Sequence, residues 1–345
     1  MRIFNNPDQS GHNPRDEFYR GQRVPCFENP TRADHVLQAL AAAGAAVEAP
    51  THDSAAALAQ VHAPRYLAFL QDAWRQWLAL DAANANLQPF PSVWPVRTLR
   101  SDVEPGNFIA RLGLYSMDNG TPLAAGTWAA AKGGADAAAS AAHALLAGER
   151  AAFCATRPPG HHAGPDFMGG YCFLNNAAVA AQALRLGGAQ RVAVLDVDYH
   201  HGNGTQAIFY DRADVLFVSL HGDPLTEYPF YLGHADETGA GEGAGFNLNL
   251  PLPAGTGAAA WLDALEVACQ CVAAHRADAL VVSLGLDTFG GDPIGGFGLQ
   301  QGEFARLGAR LRRLGLPTAF VLEGGYASAE LGHNACHVLE GFEAA

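Results

Sequence analysis

Residues 191–204 read RVAVLDVDYHHGNG. The apolar run from Arg191 to Val197 gives way to charged residues and glycine, the pattern of a buried strand whose C-terminal end carries polar chemistry. Strand side chains alternate, so Asp196, Asp198 and His200 start out on one face. Four further runs have the same character: Ala151 to Ala155, Val215 to Leu220, Ala279 to Leu286 and Thr318 to Leu322. Alanine-rich or amphipathic stretches of helical length lie between several of them. One runs from Thr127, a candidate cap, to about Ala147, and another from Asn175 to Leu186, stopped by Gly187-Gly188. Asp263 to His275 and Gln301 to Leu314 read as two more. Such alternation predicts an α/β fold with a mainly parallel central sheet flanked by helices. Near the start, Arg2 to Phe4 predicts a short edge strand, followed by two or three helices before about Leu80.

The composition agrees with a large buried core. The chain has 345 residues, 49% of them hydrophobic and 16% charged. A formal net charge of −13 argues against nucleic acid and anionic membrane surfaces as partners and suits a cationic ligand. No apolar run follows the basic start, and no stretch of about 18 apolar residues appears, so neither a signal peptide nor a membrane span is expected. Six cysteines, none in a Cys-x2-Cys pair, read as reduced thiols of a cytoplasmic enzyme. The segment from about 80 to 126 is different. It holds Pro89, Pro91, Pro95 and Pro105, has little periodicity, yet carries Phe90, Trp94, Phe108, Leu112 and Tyr115. A loop this long inside a compact domain calls for a function, and a lid or a subunit contact is expected.

The chemistry concentrates at strand ends. A carboxylate and an imidazole at the spacing of Asp198 and His200 suit one divalent ion of the zinc type. A catalytic zinc keeps three protein ligands and an open position, and Asp287, directly after the run Ala279 to Leu286, is the candidate third ligand. Read alone, Asp287 is equally a helix cap. Two other strand ends point to the same region: Arg157-Pro158-Pro159-Gly160-His161-His162-Ala163 and Glu323-Gly324-Gly325-Tyr326.

Together, RPPGHHA at 157–163, LDVDYHHGNGTQ at 195–206, SLGLDTF at 283–289 and EGGY at 323–326 resemble the histone deacetylase superfamily, whose fold is shared with arginase. The chain looks most similar to the bacterial acetylpolyamine amidohydrolases, over nearly its whole length. This resemblance implies a single deacetylase domain, 1–345, with an insertion loop at about 80–126. It implies one zinc ion per chain on Asp198, His200 and Asp287, with Fe2+ as the alternative metal. His161 matches the first histidine of a tandem, paired with Asp196. His162 matches the general base and acid, with Asn203 where many relatives have a carboxylate. An amide stabilises imidazolium less, so a lowered His162 pKa is expected. Tyr326 matches the oxyanion donor. Gly170, Tyr171 and Tyr228 match the channel walls, and Glu17 and Glu104 the region of acidic groups near the channel. Structural K+ is implied at Asp196, Asp198, His200, Ser219 and Leu220, and at Phe209, Arg212, Val215 and Phe246. The substrate implied is a small cationic acetylated amine, above all an acetylpolyamine, and the assembly a homodimer.

Three other functions compete. An acetyl-lysine protein deacetylase would share the chemistry. An arginase-like ureohydrolase needs carboxylates where this chain has Gly202 and Phe289. A binding protein on the same fold would be expected to lack a ligand or the phenol. Animal polyamine deacetylases carry a Glu at the position of Ile294, so cation recognition here must come from elsewhere.

Overall fold

Eight strands form one sheet in the order β4-β1-β5-β10-β9-β6-β7-β8, and every ladder in it is parallel. The computed structural model describes residues 1–345. The strands are β1 (Arg2–Asn5), β4 (Val47–Glu48), β5 (Ala151–Ala155), β6 (Val192–Asp196), β7 (Val215–Gly222), β8 (Asn247–Leu252), β9 (Ala279–Leu284) and β10 (Thr318–Leu322). A separate antiparallel pair joins β2 (Asp16–Tyr19) to β3 (Gln22–Pro25). Its two-residue turn places Arg20 at φ 50° and Gly21 at φ 78°, the left-handed pair that hairpins of this length require.

Helices cover both faces of the sheet, which explains why β5, β6, β9 and β10 are buried at every position and read as continuous apolar runs. The alternation of their side chains divides the core in two. Ala152 and Cys154 of β5 face one layer, with α5 (Thr127–Leu146) and α6 (Asn176–Leu186), while Phe153 faces the other. That second layer holds α1 (Thr31–Ala42), α8 (Ala258–His275), α9 (Gln301–Arg312) and α10 (Ser328–Ala344). The run of buried alanines in α5 lets its backbone lie close to β1, β5 and α6. Asn175 caps α6, its Oδ1 accepting from Ala178 N at 2.9 Å, an interaction worth about 1 kcal/mol.

Several sequence-based expectations need correction. Arg2 to Phe4 lies inside the sheet, because Val47–Glu48 pairs along its outer side. Thr127 is the first residue of α5 and not its cap; its hydroxyl instead accepts from Ala124 N at 2.7 Å. The strand β8 escaped notice although Asn247 to Leu252 alternates polar and apolar residues. Pro251 obscures it, and a proline is tolerated there because β8 is an edge strand. The first eighty residues hold three α-helices, α1, α2 (Ala55–Val61) and α3 (Pro64–Leu80).

The 80–126 segment is ordered, as its aromatic content suggests, and contains α4 (Phe108–Leu114). Phe108 and Tyr115 pack on Phe69 and Trp77 of α3, and Phe90 meets Phe18 edge-on at 5.0 Å. The aromatic side chains are thus largely spent inside the chain. What remains at the tip is aliphatic: Val93, Val96, Leu99 and Val103 are each more than half exposed.

The chain leaves β6 towards β7 and β8, then returns to place β9 on the other side of β6. The C-terminal ends of β6 and β9 therefore flank a topological switch point, where parallel sheets open a crevice for ligands.

Candidate metal centre and channel

Asp198 and His200 follow β6, and Asp287 follows β9. Their ligand atoms lie within 4.8 Å of one another, and both carboxylates are fully buried. His200 Nδ1 sits 3.1 Å from Asp287 Oδ2 and 3.4 Å from Asp198 Oδ1. Other carboxylate contacts are donated by backbone: His200 N and Gly324 N to Asp198 at 2.9 and 2.8 Å, and Tyr199 N to Asp287 at 2.9 Å. Two glycines make this possible. A Cβ on Gly285 would stand 2.1 Å from Asp198 Oδ2, and one on Gly324 would stand 2.6 Å from oxygens of both aspartates. Burial and the charge of Asp198 push Asp287 up to about 7. Two buried carboxylates facing one imidazole are the donor set that a divalent cation completes, so the residues fit a metal of the zinc or iron type.

A second group, His161, Cys172 and Glu323, also lies within 4.8 Å. It is a poorer cradle. Burial holds the Cys172 thiol protonated, and one Glu323 oxygen accepts from Gly160 N and His161 N at 2.6 and 3.1 Å.

The tandem histidines differ in environment. His161 Nδ1 is 3.0 Å from Asp196 Oδ2, and His162 Nδ1 is 2.7 Å from Asn203 Oδ1. Asn203 Nδ2 is engaged with Met117 Sδ at 3.2 Å, so its oxygen faces the imidazole. His162 Nδ1 then donates, and its Nε2 keeps a lone pair. Burial and the neighbouring His161 and His200 push His162 well below the imidazole range. The direction matches expectation, but the leading cause is burial, and the Asn203 bond acts the other way. For His161, Asp198 and Asp196 overcome the burial penalty and raise it to about 10. Adjacent rings, 4.0 Å apart, are thus tuned in opposite directions.

Tyr326 lies edge-on to Tyr171 at 5.6 Å, with the Arg32 guanidinium 4.7 Å from its ring centre. Burial raises its phenol well above the usual value, so it stays a donor. Gly170 at φ 52° and Tyr171 at φ 67° turn the wall into place, and a Cβ on Gly170 would stand 2.1 Å from His162 Cδ2. Tyr228 is edge-on to His162 at 5.0 Å. Both wall phenols are tethered: Tyr171 donates to Glu17 Oε1 at 3.0 Å and Tyr228 to Asp118 Oδ2 at 2.7 Å.

Glu17 is therefore behind the wall rather than at a solvated rim; it is fully buried, and burial raises it to about 7. Glu104 stands apart from this group. It is exposed and bonds to Tyr115 at 2.9 Å and Arg111 at 3.5 Å. Ser219 of the first expected K+ set is level with Asp196 of the same set across the β6–β7 ladder. Phe209, Arg212, Val215 and Phe246 gather where α7 (Asn203–Phe209) leads into β7, with Phe246 O accepting from Phe217 N. Sequence reasoning missed Asp118, which also accepts from Gly170 N at 2.7 Å. It lies in the stretch without periodicity and reads locally as an ordinary turn carboxylate.

This arrangement has the residue types an amidohydrolase uses, with a candidate divalent-metal site beside a pair of histidines. The histone deacetylase domain family matches residues 26–342. Over 344 residues the chain is 52% identical to acetylpolyamine amidohydrolase 2 of Pseudomonas aeruginosa, covering 99% of each protein. It is 44% identical over 342 residues to the acetylpolyamine amidohydrolase of Mycoplana ramosa, again covering 99% of each. The crystal structure of acetylpolyamine aminohydrolase from Burkholderia pseudomallei superposes with a TM-score of 0.94 at 40% identity, covering 100% of this chain and 99% of that one. The chain belongs to the histone deacetylase family and is a deacetylase.

Proposed function

We propose that this enzyme is a zinc-dependent amidohydrolase that releases acetate from acetylated polyamines or related small acetylated amines. The observation that carries the reading is the convergence of Asp198, His200 and Asp287 beside the tandem histidines. One zinc ion, or Fe2+ in its place, would supply Lewis acidity to the acetyl carbonyl and the attacking water. His162 Nε2 takes the proton from that water as it adds to the carbonyl carbon, and later gives it to the departing amine as the C–N bond breaks. His161, its Nδ1 held by Asp196, presents its other ring nitrogen towards the Asp198 side of the site. Tyr326 donates its hydroxyl to that oxygen. K+ held by the two sets named above would have a structural role.

Tyr326→Phe deletes one donor and little volume. Its kcat is expected to fall about 10²–10³-fold with metal content and melting temperature near those of the parent. Near-normal kcat removes Tyr326 from the mechanism.

For the substrate, the acidic chain favours a cation, and the aliphatic tip at Val93, Val96, Leu99 and Val103 favours a second subunit covering it. We place the enzyme as a cytoplasmic homodimer. No helix is long and apolar enough to cross a membrane, and all six cysteines are free thiols. A channel narrowed by the partner admits a slender acetylpolyamine and obstructs a peptide at its rim. Comparing acetylputrescine, acetylspermidine and an acetyl-lysine peptide tests this: kcat/KM is expected to favour the polyamines, and deletion of the loop tip to weaken both dimer and preference. A monomer at micromolar concentration, or a preference for the peptide, overturns this part, and a preference for the peptide favours acetyl-lysine proteins as the substrate.

A further inference from the structure

We propose that Asp292 is a positioning residue for Tyr326, stitching the backbone that carries the phenol to the loop that begins at Asp287. This inference rests on the oxyanion role of Tyr326 given above.

One oxygen of Asp292 accepts from Tyr326 N at 2.6 Å and Ala327 N at 3.1 Å. The other accepts from Ile294 N and Gly295 N, each at 3.0 Å. Four backbone donors from two segments thus converge on one carboxylate. The loop it closes is drawn tight against the metal centre, since a Cβ on Gly295 would stand 1.8 Å from the carbonyl oxygen of Asp287.

Tyr326 needs such an anchor. It lies between β10 and α10 in a segment without regular structure, directly after Gly324 and Gly325, the latter at φ 128°. Two glycines in series are the most easily rotated piece of backbone available. Upstream they are held by Gly324 N on Asp198 and by Arg32 Nε on Gly325 O at 2.6 Å. From Tyr326 onward, the N–H groups that enter α10 meet Asp292. Ala327, at the helix start, has no side-chain cap of its own, and a carboxylate there also suits the positive end of the helix. Arg32 lies over the phenol ring and Tyr171 meets it edge-on, contacts that leave its height above the candidate metal ligands to the backbone.

Asp292→Asn keeps the shape but turns an acceptor oxygen into an amide that faces two N–H donors. The expected result is a folded enzyme with unchanged metal content and KM and a kcat lowered about tenfold to a hundredfold, the scale of lost bonds to a charged acceptor. Asp292→Glu, with both oxygens retained, is expected to recover part of that loss. The deciding measurement is the double variant with Tyr326→Phe. Once the phenol hydroxyl is gone its placement no longer matters, so Asp292→Asn should cost little more in that background. Fully additive losses, or a parental kcat in Asp292→Asn, overturn the proposal. If Asn does not fold, the same cycle run with Asp292→Glu decides in the same way. Near-normal kcat in Tyr326→Phe alone instead overturns the oxyanion reading, which keeps the two failures distinct.

Discussion

An Asp198→Ala enzyme is expected to hold no tightly bound divalent metal and to show no measurable turnover. Asp198 is one of only three candidate ligands, and an open catalytic site has no spare protein ligand. The same carboxylate accepts from Gly324 N and His200 N, so its removal also leaves one buried and one part-buried donor without partners. Each costs about 1–3 kcal/mol, so a lower melting temperature should accompany the loss of metal. Elemental analysis of the parent should return one divalent ion per chain. Gly202 explains why a second is not expected: a Cβ there would stand 2.1 Å from Asp196 Oδ2, which leaves no room for the carboxylate that a binuclear centre needs. Two functional metals per chain, or an active Asp198→Ala enzyme, would contradict the assignment.

His162→Ala should retain the metal and lose kcat by about 10²–10⁴-fold, the range for a general acid and base. Its ring lies beside His200 at 6.1 Å but belongs to no ligand set, so the loss separates chemistry from metal binding. The pH profile supplies a second reading. A base whose pKa is lowered remains unprotonated until the pH drops through that lowered value. The acidic limb of kcat/KM for the parent should therefore fall below the usual imidazole pKa, because His162 is pushed well under it, chiefly by burial. An acidic limb at or above that usual value, or substantial activity in His162→Ala, would assign the proton transfer to another group.

Much of this molecule was legible before folding was considered. The strands at Ala151–Ala155 and Thr318–Leu322 fall where their apolar runs do, because a strand buried on both faces has no polar positions to blur its limits. Asp198 and His200 announce themselves, since two candidate ligands two residues apart after a buried run are a local pattern. The hairpin at Asp16–Pro25 and the strand at Asn247–Leu252 were less visible, one short and half-exposed, the other interrupted by Pro251.

The sequence by itself determined the alternation of strand and helix, hence the parallel sheet, and the residue types gathered at its strand ends. Only the tertiary structure decided which of them meet. Asp287 stands 87 positions from His200, yet their polar atoms are 3.1 Å apart. Glu17 and Glu104 both match the region of acidic groups near the channel, but the fold buries Glu17 behind Tyr171, while Glu104, of the same residue type, remains exposed. Asp118 and Asp292 read locally as ordinary turn carboxylates, accepting from Gly120 N and from Ile294 N and Gly295 N; what gave no signal is the second oxygen of each, whose partners are backbone amides and a phenol from distant segments. Periodicity reports which face of an element is buried; which carboxylate reaches which donor depends on chain crossings that no short window of sequence contains.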